Sequence, residues 1–170
     1  MLFKINDGID IEYFKELQID FKKIKSLKIN TGNNNVINSN YFFEILFFEI
    51  NLNNLVYLNL DSFTKSIDEN GNILLSQVNN LKSLEILILS KFKFDNVFKL
   101  YMDNLKVLNI SFCENILLSQ NMCLKLKKLY IIISNIKSNK LLKFPEVEEC
   151  YLNSSTINVD FRNIIIYSEE

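Results

Sequence analysis

Apolar residues recur along this chain in one phrase: two steps of three positions, then an alternating pair. The phrase reads FKKIKSLKI from Phe21, LNNLVYLNL from Leu52, LKSLEILIL from Leu81 and MDNLKVLNI from Met102. Two looser copies follow, CLKLKKLYI from Cys123 and FPEVEECYL from Phe144. Their seventh residues are Leu27, Leu58, Leu87, Leu108, Leu129 and Cys150, at intervals of 31, 29, 21, 21 and 21. Alternation around position seven predicts a short strand with two apolar residues on one side. One such unit cannot bury its apolar side alone, so the copies are expected to stack in parallel around a continuous core.

The intervening segments complete the expected unit. An interval of 21 leaves room for a turn, an extended stretch or a 3₁₀ piece, and a longer interval admits a helix. Ser39 is placed to cap a helix over Tyr41 to Glu49, and a second helix or pair of turns is expected from Ile73 to Val78, after Gly71. Residues 1–20 read as a capping segment, with Asp10 opening a helix that carries Ile11, Phe14, Leu17 and Phe21. The alternative is a further strand phrase there. Residues 21–157 form the repeat domain, and 158–170 a partial repeat or edge strand around Ile164, Ile165 and Ile166. ILLSQ occurs twice, at Ile73 and at Ile116, and reads as a shared turn or short helix. Carrying that match forward would put Lys127 in the core, so a one-residue slip is placed before Cys123.

The phrase resembles the leucine-rich repeat unit, L-x-x-L-x-L-x-x-N/C-x-L. Leu105, Leu108, Ile110 and Cys113 match it most closely, in the manner of its cysteine-containing variants. Phe92, Ser134 and Ser155 stand at the Asn/Cys position of other copies. The resemblance implies an α/β solenoid: an arc with a parallel concave sheet, and short helices, 3₁₀ pieces or turns on the convex side. It also implies protein recognition on the concave sheet. Its central row would be Lys28, Asn59, Ile88, Asn109, Tyr130 and Tyr151, and the next Asn30, Asp61, Ser90, Ser111, Ile132 and Asn153. Ile88, Tyr130, Ile132 and Tyr151, with Asn59 and Asn109, are the candidate protein-binding face. Tyr and Ile there suit an interface. Strand propensity alone explains the same residues.

Composition removes other classes. The 170 residues carry 19 basic and 20 acidic side chains, a net charge of -1, which gives no basic stripe for nucleic acid. The chain has no His, so neither a Ser–His triad nor a His-containing metal site is available. No glycine-rich phosphate loop is present, and the reading is of no enzyme, cofactor, metal or small-molecule substrate. Cys113, Cys123 and Cys150 form no CxxC pair and read as free thiols in a reducing, cytoplasmic compartment. The most apolar window, YFFEILFFEI, is too short to span a bilayer. Lys127 and Lys128, facing Glu146, Glu148 and Glu149 in the next copy, either pair across repeats or solvate turns. The expected function is a non-catalytic module that binds an unidentified protein. A structural or drifted repeat protein without a specific partner is the alternative, and a ubiquitin-ligase substrate receptor a lesser one.

Overall fold

A computed structural model of the chain describes residues 2–5, 20–30, 44, 46–47, 52–61, 66–137, 141–153, 159–160 and 166–167. Each phrase makes a strand of a broad parallel sheet. These are β2 (Ser26–Asn30), β3 (Tyr57–Asp61), β5 (Ile86–Ser90), β7 (Val107–Ser111), β9 (Lys128–Ile132) and β12 (Glu149–Asn153). With β1 (Leu2–Ile5) and β14 (Ile166–Tyr167) the sheet has eight strands, in the order β1-β2-β3-β5-β7-β9-β12-β14. The seventh residues are cross-strand partners from Leu27 through Leu58, Leu87, Leu108 and Leu129 to Cys150. All six are fully buried. Leu126 is also buried while Lys127 is not, so the one-residue slip is the register adopted.

The other strands correct the expected architecture. β4 (Ser66–Ile67), β6 (Lys93–Leu100), β8 (Glu114–Leu118) and β10 (Ile136–Lys137) form a second parallel sheet, in the order β10-β8-β6-β4. β11 (Leu142–Lys143) and β13 (Val159–Asp160) pair separately. The molecule is therefore a two-sheet parallel α/β fold and not a leucine-rich repeat arc with one curved sheet. Among the described residues the helices are few and short: α1 (Glu69–Leu75), a 3₁₀ turn over Ser76–Asn80 and α2 (Gln120–Cys123), with a further 3₁₀ turn at Phe21–Lys23. The physical reason lies between the phrases. Phe92 and Phe94, Phe98 and Leu100, and Ile116 and Leu118 alternate with more exposed neighbours, which is the two-residue period of a half-buried strand. Phe94 stacks on Phe92 and Phe98, with ring centroids 5.6 and 4.6 Å apart. These rings belong to one core with the leucines of the broad sheet.

Tight corners join the sheets. Lys91, Phe112 and Ile133 follow β5, β7 and β9, and take φ of 62°, 56° and 45°. Their N–H groups donate to the carbonyls of Ser111, Ile132 and Asn153, at 2.9, 2.8 and 2.8 Å. The left-handed conformation turns the chain while keeping that ladder of hydrogen bonds. It is unfavourable for a non-glycine residue, most of all for β-branched Ile133.

Local expectations fare unevenly. Asp68 caps α1, its Oδ1 accepting from Gly71 N–H at 2.8 Å, so the helix begins before Gly71 and not after it. The two ILLSQ copies do not share a structure. The first lies in α1 and the 3₁₀ turn, whereas in the second Ile116–Leu118 belongs to β8 and Ser119 caps α2. A strand partner decides this, since Phe98, Lys99 and Leu100 of β6 pair with Ile116, Leu117 and Leu118. Ile11, Phe14, Leu17, Ser39, Phe63, Ser155, Ile164 and Ile165 lie outside the described residues.

Replacing Leu108 by Ala should lower unfolding stability by about 2–5 kcal/mol, since the site is enclosed by two neighbouring strands. Chemical denaturation measures this, and a loss near zero would contradict the packing. At the corner, Ile133→Asn should raise stability by about 1 kcal/mol by relieving the left-handed backbone. A loss would show that Ile133 is not strained.

Candidate functional site

The outer face of the broad sheet carries every residue proposed from sequence as a binding position. Lys28, Asn59, Ile88, Asn109, Tyr130 and Tyr151 are successive cross-strand partners, one per phrase. Ser90, Ser111, Ile132 and Asn153 form the next ladder, and Asn30 pairs with Asp61. Strand alternation places them together, because their neighbours on either side face the core. Ile88, Asn109, Tyr130, Ile132 and Tyr151 are half-buried, and Asn59 is buried at 8% exposure.

The polar groups of this face bond mainly to one another. Asn59 Nδ2 donates to Tyr57 Oη at 3.2 Å, Ser111 Oγ to Asn109 Oδ1 at 2.8 Å, and Asn153 Nδ2 to Tyr151 Oη at 3.2 Å. Each pair joins positions i and i+2 of one strand, whose side chains share a face. Tyr130 Oη donates to Glu149 Oε1 on the next strand. Lys128 Nζ donates to Oε2 of the same carboxylate at 2.6 Å. Asn59 Oδ1 is a buried acceptor with no partner.

These contacts set the electrostatics. Burial and then the hydrogen bond to Glu149 push the Tyr130 hydroxyl up to about 12. Lys128 and then Tyr130 hold the Glu149 carboxyl below its ordinary value. Lys127 lies 3.0 Å from Glu146 and 3.6 Å from Glu148, and Lys106 lies 2.7 Å from Glu85. The open question about the lysines is thus answered by pairing across repeats, through exposed contacts of small energetic weight.

The thiols sit elsewhere. Cys113, Cys123 and Cys150 are free and buried. Cys113 Sγ donates to the carbonyls of Leu89 and Ser111, at 3.4 and 3.2 Å. One repeat later Ser134 Oγ donates to the equivalent carbonyls of Ile110 and Ile132, at 3.3 and 2.8 Å, and accepts from Cys113 N–H at 3.0 Å. A thiol and a hydroxyl therefore hold the same corner. Burial pushes Cys113 and Cys123 up to about 12 and Cys150 up to about 11, so these groups stay protonated and poorly nucleophilic.

Asp68 is spent on the helix cap, and Asp61 lies 3.9 Å from Lys91 Nζ. Among the described residues no group of three His, Cys, Asp or Glu side chains is arranged to hold a metal ion. No helix among them is long and apolar enough to cross a membrane.

No protein-family model, curated protein or solved structure matches the chain. The leucine-rich repeat resemblance thus has no family match behind it, and the second sheet departs from what it implied. Recognition through a concave sheet, including the ubiquitin-ligase form of that expectation, falls with it. The face is one side of a two-sheet domain whose polar groups are largely engaged internally.

The thiols make the protein sensitive to alkali. Their folded values lie above the ordinary value of 9.0, so their stabilisation is complete below that pH and is lost as pH rises toward about 12. Urea unfolding from pH 7 upward should show falling stability above about pH 9. Cys113→Ala should flatten that fall, and an unchanged slope would refute the assignment.

Proposed function

We propose that the chain is a non-catalytic structural repeat protein, with no dedicated partner on its broad sheet. One observation carries this reading: the side chains on that face bond to one another. Tyr130, Glu149 and Lys128 tie β9 to β12, while Tyr57–Asn59, Asn109–Ser111 and Tyr151–Asn153 are joined along their own strands. Donors and acceptors already bonded within the molecule reach a partner only by giving up those bonds.

The same reading covers Asp68 and the thiols. Asp68 caps a helix, Cys113 holds a corner, and the other two thiols are core side chains. The near balance of charge supports neither nucleic acid nor an anionic membrane surface as a partner. Three buried thiols fit a reducing compartment, and we place the protein in the cytoplasm on that basis.

Stability separates this reading from recognition. Side chains maintained for a partner commonly cost the free protein stability, whereas structural ones contribute to it. Tyr130→Phe and Glu149→Gln should each lower unfolding stability, Tyr130→Phe by about 0.5–1.5 kcal/mol. Their double-mutant cycle should show coupling. Variants as stable as the wild type, with additive effects, would overturn the structural role.

A further inference from the structure

Among the described residues the second sheet has an edge that no strand covers, and the side chains opposite it make a specific pattern. β4 pairs with Lys93 and Phe94 of β6 and then stops at Ile67. β6 continues to Leu100. Past Ile67 the chain turns at Asp68 into α1 and the 3₁₀ turn, and amide side chains on these elements reach the uncovered backbone. Asn72 Nδ2 donates to Asn96 O at 3.2 Å. Asn79 Nδ2 donates to Lys99 O at 3.0 Å, and Asn79 Oδ1 accepts from Tyr101 N–H at 2.9 Å.

The Asn79 contacts reproduce a strand. In a parallel ladder a residue donates to the carbonyl before its partner and accepts from the N–H after it. Asn79 does this around Leu100 with one side chain. Leu100 itself points its carbonyl the other way, where it accepts from Ser119 N–H at 2.8 Å. The amide is held in place by a further bond from Nδ2 to Ser76 O at 3.0 Å. Asn and Gln carry a neutral N–H donor and a carbonyl acceptor on one planar amide, as a peptide unit does. Gln120 uses the same chemistry on β11, donating to Lys143 O at 2.8 Å and accepting from Lys143 N–H at 3.1 Å.

We propose that Asn72 and Asn79 form an edge guard: their amides replace the missing strand along β6 and keep a second copy of this chain from pairing there. An uncovered strand edge is a template for pairing, and this edge offers the parallel pattern used throughout both sheets. The guard is independent of the structural reading of the broad face, because it concerns the other sheet.

Residue-resolved hydrogen exchange tests it. In the wild-type protein Tyr101 N–H should be protected although the residue is 52% exposed. Free exchange there would overturn the proposal without any variant. Asn79→Ala should speed Tyr101 exchange about tenfold and leave Leu108 unchanged. Sedimentation velocity should show concentration-dependent self-association of the Asn72→Ala, Asn79→Ala pair beyond that of the wild type. Unchanged Tyr101 exchange in Asn79→Ala, or association of the pair no greater than wild type, would each overturn the guard.

Discussion

The in-register parallel ladder of the broad sheet is the constraint on which the rest depends. Leu27, Leu58, Leu87, Leu108, Leu129 and Cys150 must face the core in one phase, because a slip of one residue would turn every apolar pair outward. That phase places Asn59, Asn109, Tyr130 and Tyr151 on the opposite face. It also brings the ends of β5, β7 and β9 to the same height, where the chain must turn. The left-handed corners at Lys91, Phe112 and Ile133 follow from this alignment, as do the carbonyls that Cys113 and Ser134 bond.

Position along the phrase was legible in the sequence, because a two-residue alternation next to apolar steps of three has few interpretations. The second sheet was harder to see. Its strands vary in length, from two residues in β4 and β10 to eight in β6. Phe92, Phe94, Phe98 and Leu100 do alternate, but a bulge breaks the pairing of β6 with β8 between Lys93 and Phe98. A family pattern that assigns this region to turns then outweighed the local period. ILLSQ shows the limit most directly, since identical pentapeptides become helix in one place and a strand paired with β6 in the other.

The candidate face was legible as a set of positions and not as a function. Strand alternation identifies which residues share a surface. It does not reveal that Tyr130 bonds Glu149 on the next strand, or that Ser111 bonds Asn109 on its own. The amides were missed for a related reason. Asn is abundant enough here to look like compositional bias, yet Asn54, Asn104 and Asn79 each reach backbone carbonyls about one repeat away. Long-range pairing of that kind leaves no mark in a single sequence.

The charges beside the strands have a consequence for copy number. Glu85, Lys106, Lys127 and Glu148 occupy one ladder, each N–H after the first donating to the carbonyl of the residue before it. The order of signs is minus, plus, plus, minus. Excising the 21 residues from Lys106 to Leu126 would set Lys127 beside Glu85, and excising the following 21 would set Glu148 beside Lys106. Either deletion leaves opposite charges in contact and the core phase intact. Loss of both would bring Glu148 against Glu85. Opposite charges therefore meet after the loss of either single repeat and like charges after the loss of both, a small bias for exposed side chains that favours contraction by one unit.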